Sequence, residues 1–96
     1  MVMERNESAP KFYTGRLLAT PGVLKTIPSF EVISALRRHI LGDWGIVDQE
    51  DWLRNDEALV NGARLFSAYR SAKNVKFWII TESDRSSTTV LLPSEY

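Results

Sequence analysis

The chain has 96 residues, 44% hydrophobic and 25% charged, the composition of one globular domain and not of a disordered segment. It contains no cysteine, which excludes disulfides and thiolate chemistry, and no apolar run approaches the roughly 20 residues that cross a bilayer. Its formal net charge is zero, which argues against phosphate neutralisation as its main business, because nucleic-acid binders usually carry a strongly basic balance.

That zero is unevenly spread. Residues 1–42 hold six Lys/Arg against three acids, and residues 58–85 hold five against Glu82 and Asp84. Between them, residues 43–57 hold six acids (Asp43, Asp48, Glu50, Asp51, Asp56, Glu57) against Arg54, so the middle of the chain is acidic. The N-terminus, Met1 to Ser8, has no hydrophobic signal core, and a cytoplasmic, membrane-free protein is expected.

Residues 1–10 are polar, end at Pro10 and read as a flexible tail before one α+β domain over 11–96. Phe12 to Thr20 is rich enough in aromatic and aliphatic residues to be a strand, with a bend at Gly15. Thr20-Pro21-Gly22 reads as a turn. A helix then begins at Pro28 and Ser29, with Ser29 as its cap. Its apolar stripe is Val32, Ile33, Leu36 and Ile40; Glu31, Ser34, Arg37 and Arg38 lie opposite, and Gly42 is a left-handed stop.

Asp48 caps a second helix running to about Asn61, with Glu50 and Asp51 in its first turn. Its apolar residues (Trp52, Leu53, Leu59, Val60) are irregular, so it should be half exposed, and Gly62 closes it. The last third reads as strands: Arg64–Arg70, a polar loop Ser71–Asn74, Val75–Glu82, a turn Ser83–Ser87, then Thr88–Leu92 ended by Pro93. Val75, Phe77, Ile79 and Thr81 share one face, and Lys76, Trp78, Ile80 and Glu82 the other. Both faces are largely apolar, which predicts a central strand covered on each side. The expected order is β-α-α-β-β-β with a three-stranded antiparallel sheet. An unpaired edge at Thr88–Leu92 would offer a route to a homodimer.

Three places hold residues that chemistry could use. His39, the only histidine, is the natural candidate for a general acid or base, although the last turn of a helix also favours it through the helix dipole. Glu82 and Arg85 flank the turn after the best strand, Glu82 as a base and Arg85 as a clamp for phosphate or carboxylate; an Asp-stabilised turn is the simpler account. Asp43, Asp48, Glu50 and Asp51 do not match a calcium loop and lack a second His or any Cys, so no metal is expected. Trp44, between two glycines, is the least constrained of three tryptophans and the one expected to contact a partner. There is no glycine-rich phosphate loop or nucleophile elbow, and no cofactor is implied.

From Phe12 to Tyr96 the chain resembles a widespread family of small bacterial proteins of unestablished function. The residues that carry the likeness include Ala19-Thr20-Pro21-Gly22, Arg38-His39, Gly42-Asp43-Trp44-Gly45, Glu50-Asp51, Ser67-Ala68-Tyr69, Trp78-Ile79-Ile80-Thr81-Glu82, Asp84-Arg85-Ser86 and Leu91-Leu92-Pro93. Such proteins carry labels such as plasmid-related or restriction-system subunit, which implies a mobile-element or host-defence setting. The layout is also similar to that of RelE/ParE-type toxins, which implies a small ribonuclease using Arg64, Arg70, Lys76, Glu82 and Arg85.

The leading expectation is a non-enzymatic interaction module that binds a protein partner through Asp43, Trp44, Glu50 and Asp51. The alternative is the toxin-like ribonuclease, with nucleic acid as its partner.

Overall fold

Alternation of apolar residues makes the C-terminal third a meander, and the computed structural model, which describes residues 9–96, places it at the heart of the sheet. In chain order the elements are β1 (Arg16–Ala19), α1 (Pro21–Thr26), α2 (Ser29–Ile40), α3 (Gln49–Asn61), β2 (Leu65–Arg70), β3 (Lys76–Thr81) and β4 (Ser87–Leu91), then a 3-10 turn at Pro93–Glu95. The tail expected over 1–10 lies almost wholly outside the described residues. Both hairpins fall where the loop chemistry puts them, with Asn74 and Arg85 taking the positive φ that each tight turn needs.

The sheet is larger than expected, and mixed. Its strand order is β1-β4-β3-β2, with β2, β3 and β4 antiparallel and β1 parallel to β4. The three-stranded antiparallel reading is therefore corrected. A parallel neighbour needs a long connection; here the three helices carry the chain to β2 at the far side, and β2 and β3 lead back to β4. As a result β4 is an interior strand, so the edge expected at Thr88–Leu92 does not exist. The outermost strands are β1 and β2.

A further correction concerns Thr20-Pro21-Gly22, which begins the short helix α1 instead of forming a turn. The Thr20 hydroxyl accepts the Val23 N–H at 3.4 Å, with Pro21 in the first helical position. The Glu95 carboxylate also receives the Gly22 N–H (2.9 Å) and the Thr20 hydroxyl, which ties the C-terminal turn to this helix start. α2 starts one residue earlier than expected, with Pro28 at the cap and no side-chain bond from Ser29. It ends in a Schellman arrangement, Gly42 N–H to His39 O (3.1 Å) and Asp43 N–H to Arg38 O (2.9 Å). Asp48 caps α3 as expected, its carboxylate accepting the Asp51 N–H at 2.8 Å.

Helices cover one face of the sheet. Under α1 and α2 lies a cluster of Val23, Ile27, Ala35, Tyr69, Phe77, Ile79 and Val90; under α3 lies a second, of Trp44, Ala58 and Leu65 with Phe12, Val47, Trp52 and Leu59 against it. α2 is turned from its expected stripe. Ala35 and His39 face the core, Val32 and Leu36 are partly buried, and Ile33 is exposed. Among the described residues no helix is long and apolar enough to cross a membrane.

Candidate functional site

His39 sits without solvent exposure where the two apolar clusters meet, its ring edge-on to Phe12 (5.2 Å) and Trp44 (5.5 Å). Burial there requires partners for both ring nitrogens. Nδ1 lies 2.6 Å from Ser67 Oγ, and Nε2 lies 2.9 Å from Thr81 Oγ1. Thr81 Oγ1 is in turn 2.8 Å from Thr88 Oγ1, whose hydroxyl donates to the Thr14 carbonyl at 2.8 Å. A carbonyl only accepts, so the direction of the whole chain follows from its last link. Thr88 donates to Thr14, Thr81 to Thr88, His39 Nε2–H to Thr81, and Ser67 to Nδ1. With the imidazole neutral, its one proton is therefore on Nε2. Burial, and then the Arg85 charge, push its pKa down to about 3. With both nitrogens engaged and no route to solvent, His39 has no free position for a substrate proton.

Arg85 is equally committed. Its guanidinium donates to the carbonyls of Ala63 (2.6 Å), Ala58 (3.0 Å), Glu82 (3.1 Å) and Ser83 (3.4 Å). Two of these belong to the end of α3 and the loop after it, where the negative end of the helix dipole attracts a cation. The β3–β4 turn is thereby pinned to α3. Asp84 supports the turn by accepting the Ser86 N–H at 2.9 Å. Glu82 points elsewhere, 3.7 Å from Arg64 in a half-exposed ion pair. His39, Glu82 and Arg85 therefore do not converge on one open cleft.

Trp44 overturns the partner contact expected of it, because it has no exposed surface at all. Its ring stacks on Phe12 (6.3 Å), and its indole N–H donates to Asp56 at 3.0 Å. The glycine after it brings backbone to backbone: Gly45 bridges Ala68, with Ile46 N–H to Ala68 O (2.8 Å) and Ala68 N–H to Trp44 O (3.2 Å). Asp43 serves the same turn. It receives Arg38 Nε at 2.8 Å and the Gly45 N–H at 3.2 Å, and the Arg38 bond holds its carboxyl below the usual range.

Glu50 and Asp51 do lie on the surface, in the first turn of α3 with Arg54 between them at 3.8 and 3.2 Å. Beyond them the helix exposes a stripe that spacing alone did not single out. Glu50, Leu53, Glu57 and Val60 follow one another at i, i+3 and i+4 intervals, with Leu53 56% and Val60 90% exposed. They line a shallow groove together with Arg54 and Asp56. Among the described residues no group of three or more His, Asp or Glu is placed to hold a metal ion.

The other face of the sheet carries no helix, so the cover expected on that side of β3 comes from elsewhere in the chain. Phe66, Trp78 and Ile80 lie there, and Tyr96 folds back over them. Arg64 lies over the Tyr96 ring and donates to its hydroxyl at 2.7 Å. The alternation of Trp78 and Ile80 foretold this apolar surface; its cover is the chain's own C-terminal turn. Comparison with protein-family models, curated proteins and solved structures returned no match.

Proposed function

We propose that this chain is a small non-enzymatic protein-interaction module that presents the outer face of α3 to a cationic partner segment bearing apolar side chains. One observation carries the reading: Leu53 and Val60 stand exposed in line with Glu50 and Glu57, in a helix whose only cation, Arg54, is already paired. Apolar residues framed by carboxylates suit a partner that is basic at its rim and apolar at its centre. The mobile-element or host-defence setting rests on the resemblance of the sequence. Against the ribonuclease alternative, His39 and Arg85 are taken up in holding the fold, and Glu82 stands apart from both in an ion pair with Arg64.

Affinity capture with the full chain tests the proposal, the Leu53→Asp/Val60→Asp variant serving as control. Losing a buried Leu or Val contact costs about 1.5–3 kcal/mol, so partner affinity should fall at least tenfold and weaken further with salt. Undiminished capture by the variant overturns the α3 assignment. Growth arrest on overexpression that Glu82→Gln relieves would transfer the case to the nuclease.

A further inference from the structure

The two edges of the sheet are treated differently. At the β2 edge, the Asn55 side chain imitates a neighbouring strand: its amide donates to Phe66 O at 2.6 Å, and its carbonyl receives the Phe66 N–H at 3.0 Å. Two residues on, Ala68 is bridged by the Trp44–Ile46 segment. That edge is closed. At the β1 edge nothing among the described residues lies beyond the strand, and all four of its residues are exposed. Arg16 and Thr20 donate their N–H groups towards β4, to Ser86 O and Val90 O, both at 3.0 Å. By alternation, the N–H and C=O groups of Leu17 and Ala19 face outwards, without a partner among the described residues. Leu17 (58% exposed) and Leu18 (39%) flank this free ladder on opposite faces.

We infer that β1 pairs antiparallel with β1 of a second copy, around a two-fold axis through Leu18. The register follows from the backbone. Leu17 and Ala19 carry the outward groups, so Leu17 exchanges hydrogen bonds with Ala19 of the second copy, and the reverse. Leu18 then faces its own counterpart as a non-hydrogen-bonded pair. No charge meets a like charge, since Arg16 lies opposite Thr20. The pairing also extends an existing row: Leu18, Thr89, Ile80 and Phe66 are register partners across the outer face, so the two-fold joins two such rows across eight strands. A second copy is the occupant that this edge fits because each chain has one open edge and one closed edge. Association therefore ends at two and does not run on into a filament.

The absence of cysteine makes the register directly testable. Residues in a non-hydrogen-bonded antiparallel pair have Cα atoms about 4.5 Å apart, within disulfide reach. With oxidised glutathione, Leu18→Cys should give a covalent dimer in at least tenfold higher yield than Ala19→Cys. By light scattering the native chain should run at twice its 10.9 kDa mass. Ala19→Pro removes only an outward N–H, leaving the β4 ladder intact, and should be a folded monomer by circular dichroism. Leu17→Lys should likewise be monomeric should the proline variant fail to fold. A monomeric native chain at 100 μM protein (about tenfold above a typical weak-dimer range) overturns the inference. So does cross-linking through Ala19 as efficient as through Leu18.

Discussion

His39 shows what one buried residue can require of a small domain. Its neutral ring is satisfied by Ser67 and Thr81, and among the described residues no buried side-chain nitrogen or oxygen lacks a partner. Thr81→Val strands the Nε2–H and should cost about 1–3 kcal/mol in urea unfolding. Thr89→Val, on the open face, should stay within about 0.5 kcal/mol. The pH dependence has a definite sign. The unfolded imidazole takes a proton near its ordinary 6.5, whereas the folded one resists down to about 3. Between those values the unfolded state binds more protons, so stability is complete above pH 6.5 and falls as pH drops through the window. The expected slope is about 1.4 kcal/mol per pH unit below pH 6. It should flatten in His39→Gln, measured from about pH 7.5 to 5.5, above the range where Asp43, Asp84 and Glu95 contribute. In the sequence His39 stood out as a titratable group, but nothing local announced its burial. The Ile33 and Ile40 stripe pointed to another face, and only Ser67 and Thr81, far along the chain, turn α2 as it is.

At the scale of elements, the joints are where substitutions should tell most. Arg85 joins two carbonyls of its own turn to those of Ala58 and Ala63 and so ties the β3–β4 turn to the end of α3, a geometry that a planar fork can meet and an ammonium cannot. Arg85→Lys should therefore recover little of the loss in Arg85→Ala, about 1.5–3 kcal/mol by thermal unfolding. Two glycines separate conformation from crowding. Both have positive φ, but a Cβ on Gly62 meets nothing within 4 Å, whereas on Gly45 it would lie 2.0 Å from the Ala68 carbonyl oxygen. Gly62→Ala should cost about 1–2 kcal/mol for the left-handed backbone alone. Gly45→Ala should cost more and open the β2 edge, detectable as faster amide exchange at Ala68. The elements themselves were largely legible: Asp48, Gly42, Gly62 and the alternation of β3 mark their own boundaries. α1 was missed because Pro-Gly is stronger turn chemistry than Thr-Pro is a helix start, and Glu95 tips the balance from the far end of the chain.

For the whole molecule, sheet order was the part that local pattern could not supply. β1 pairs with a strand whose sequence says nothing about its neighbour, and β4 reads the same at an edge or inside. The placement of α3 against β2, at the opposite side of the sheet from β1, has its own consequence for the proposed dimer. Two acidic helix faces would stand at the far ends of an eight-stranded sheet. A partner with two basic segments should then bind the native chain more tightly than it binds Ala19→Pro, by the effective concentration of the second site. Isothermal titration with a two-segment peptide and with its single-segment half measures the difference directly.

The mixed sheet also sets an order of events in time. The hydroxyl of Thr88 reaches back 74 residues to Thr14, while β2, β3 and β4 are joined by short loops. Closing short loops costs little entropy, so the meander is the part able to form first, and docking of the N-terminal layer should come after the main barrier. In stopped-flow experiments Ile79→Val should chiefly slow refolding, whereas Val23→Ala should chiefly speed unfolding. Until that layer docks, β4 is an uncovered edge, and the early folding species should be the one that aggregates.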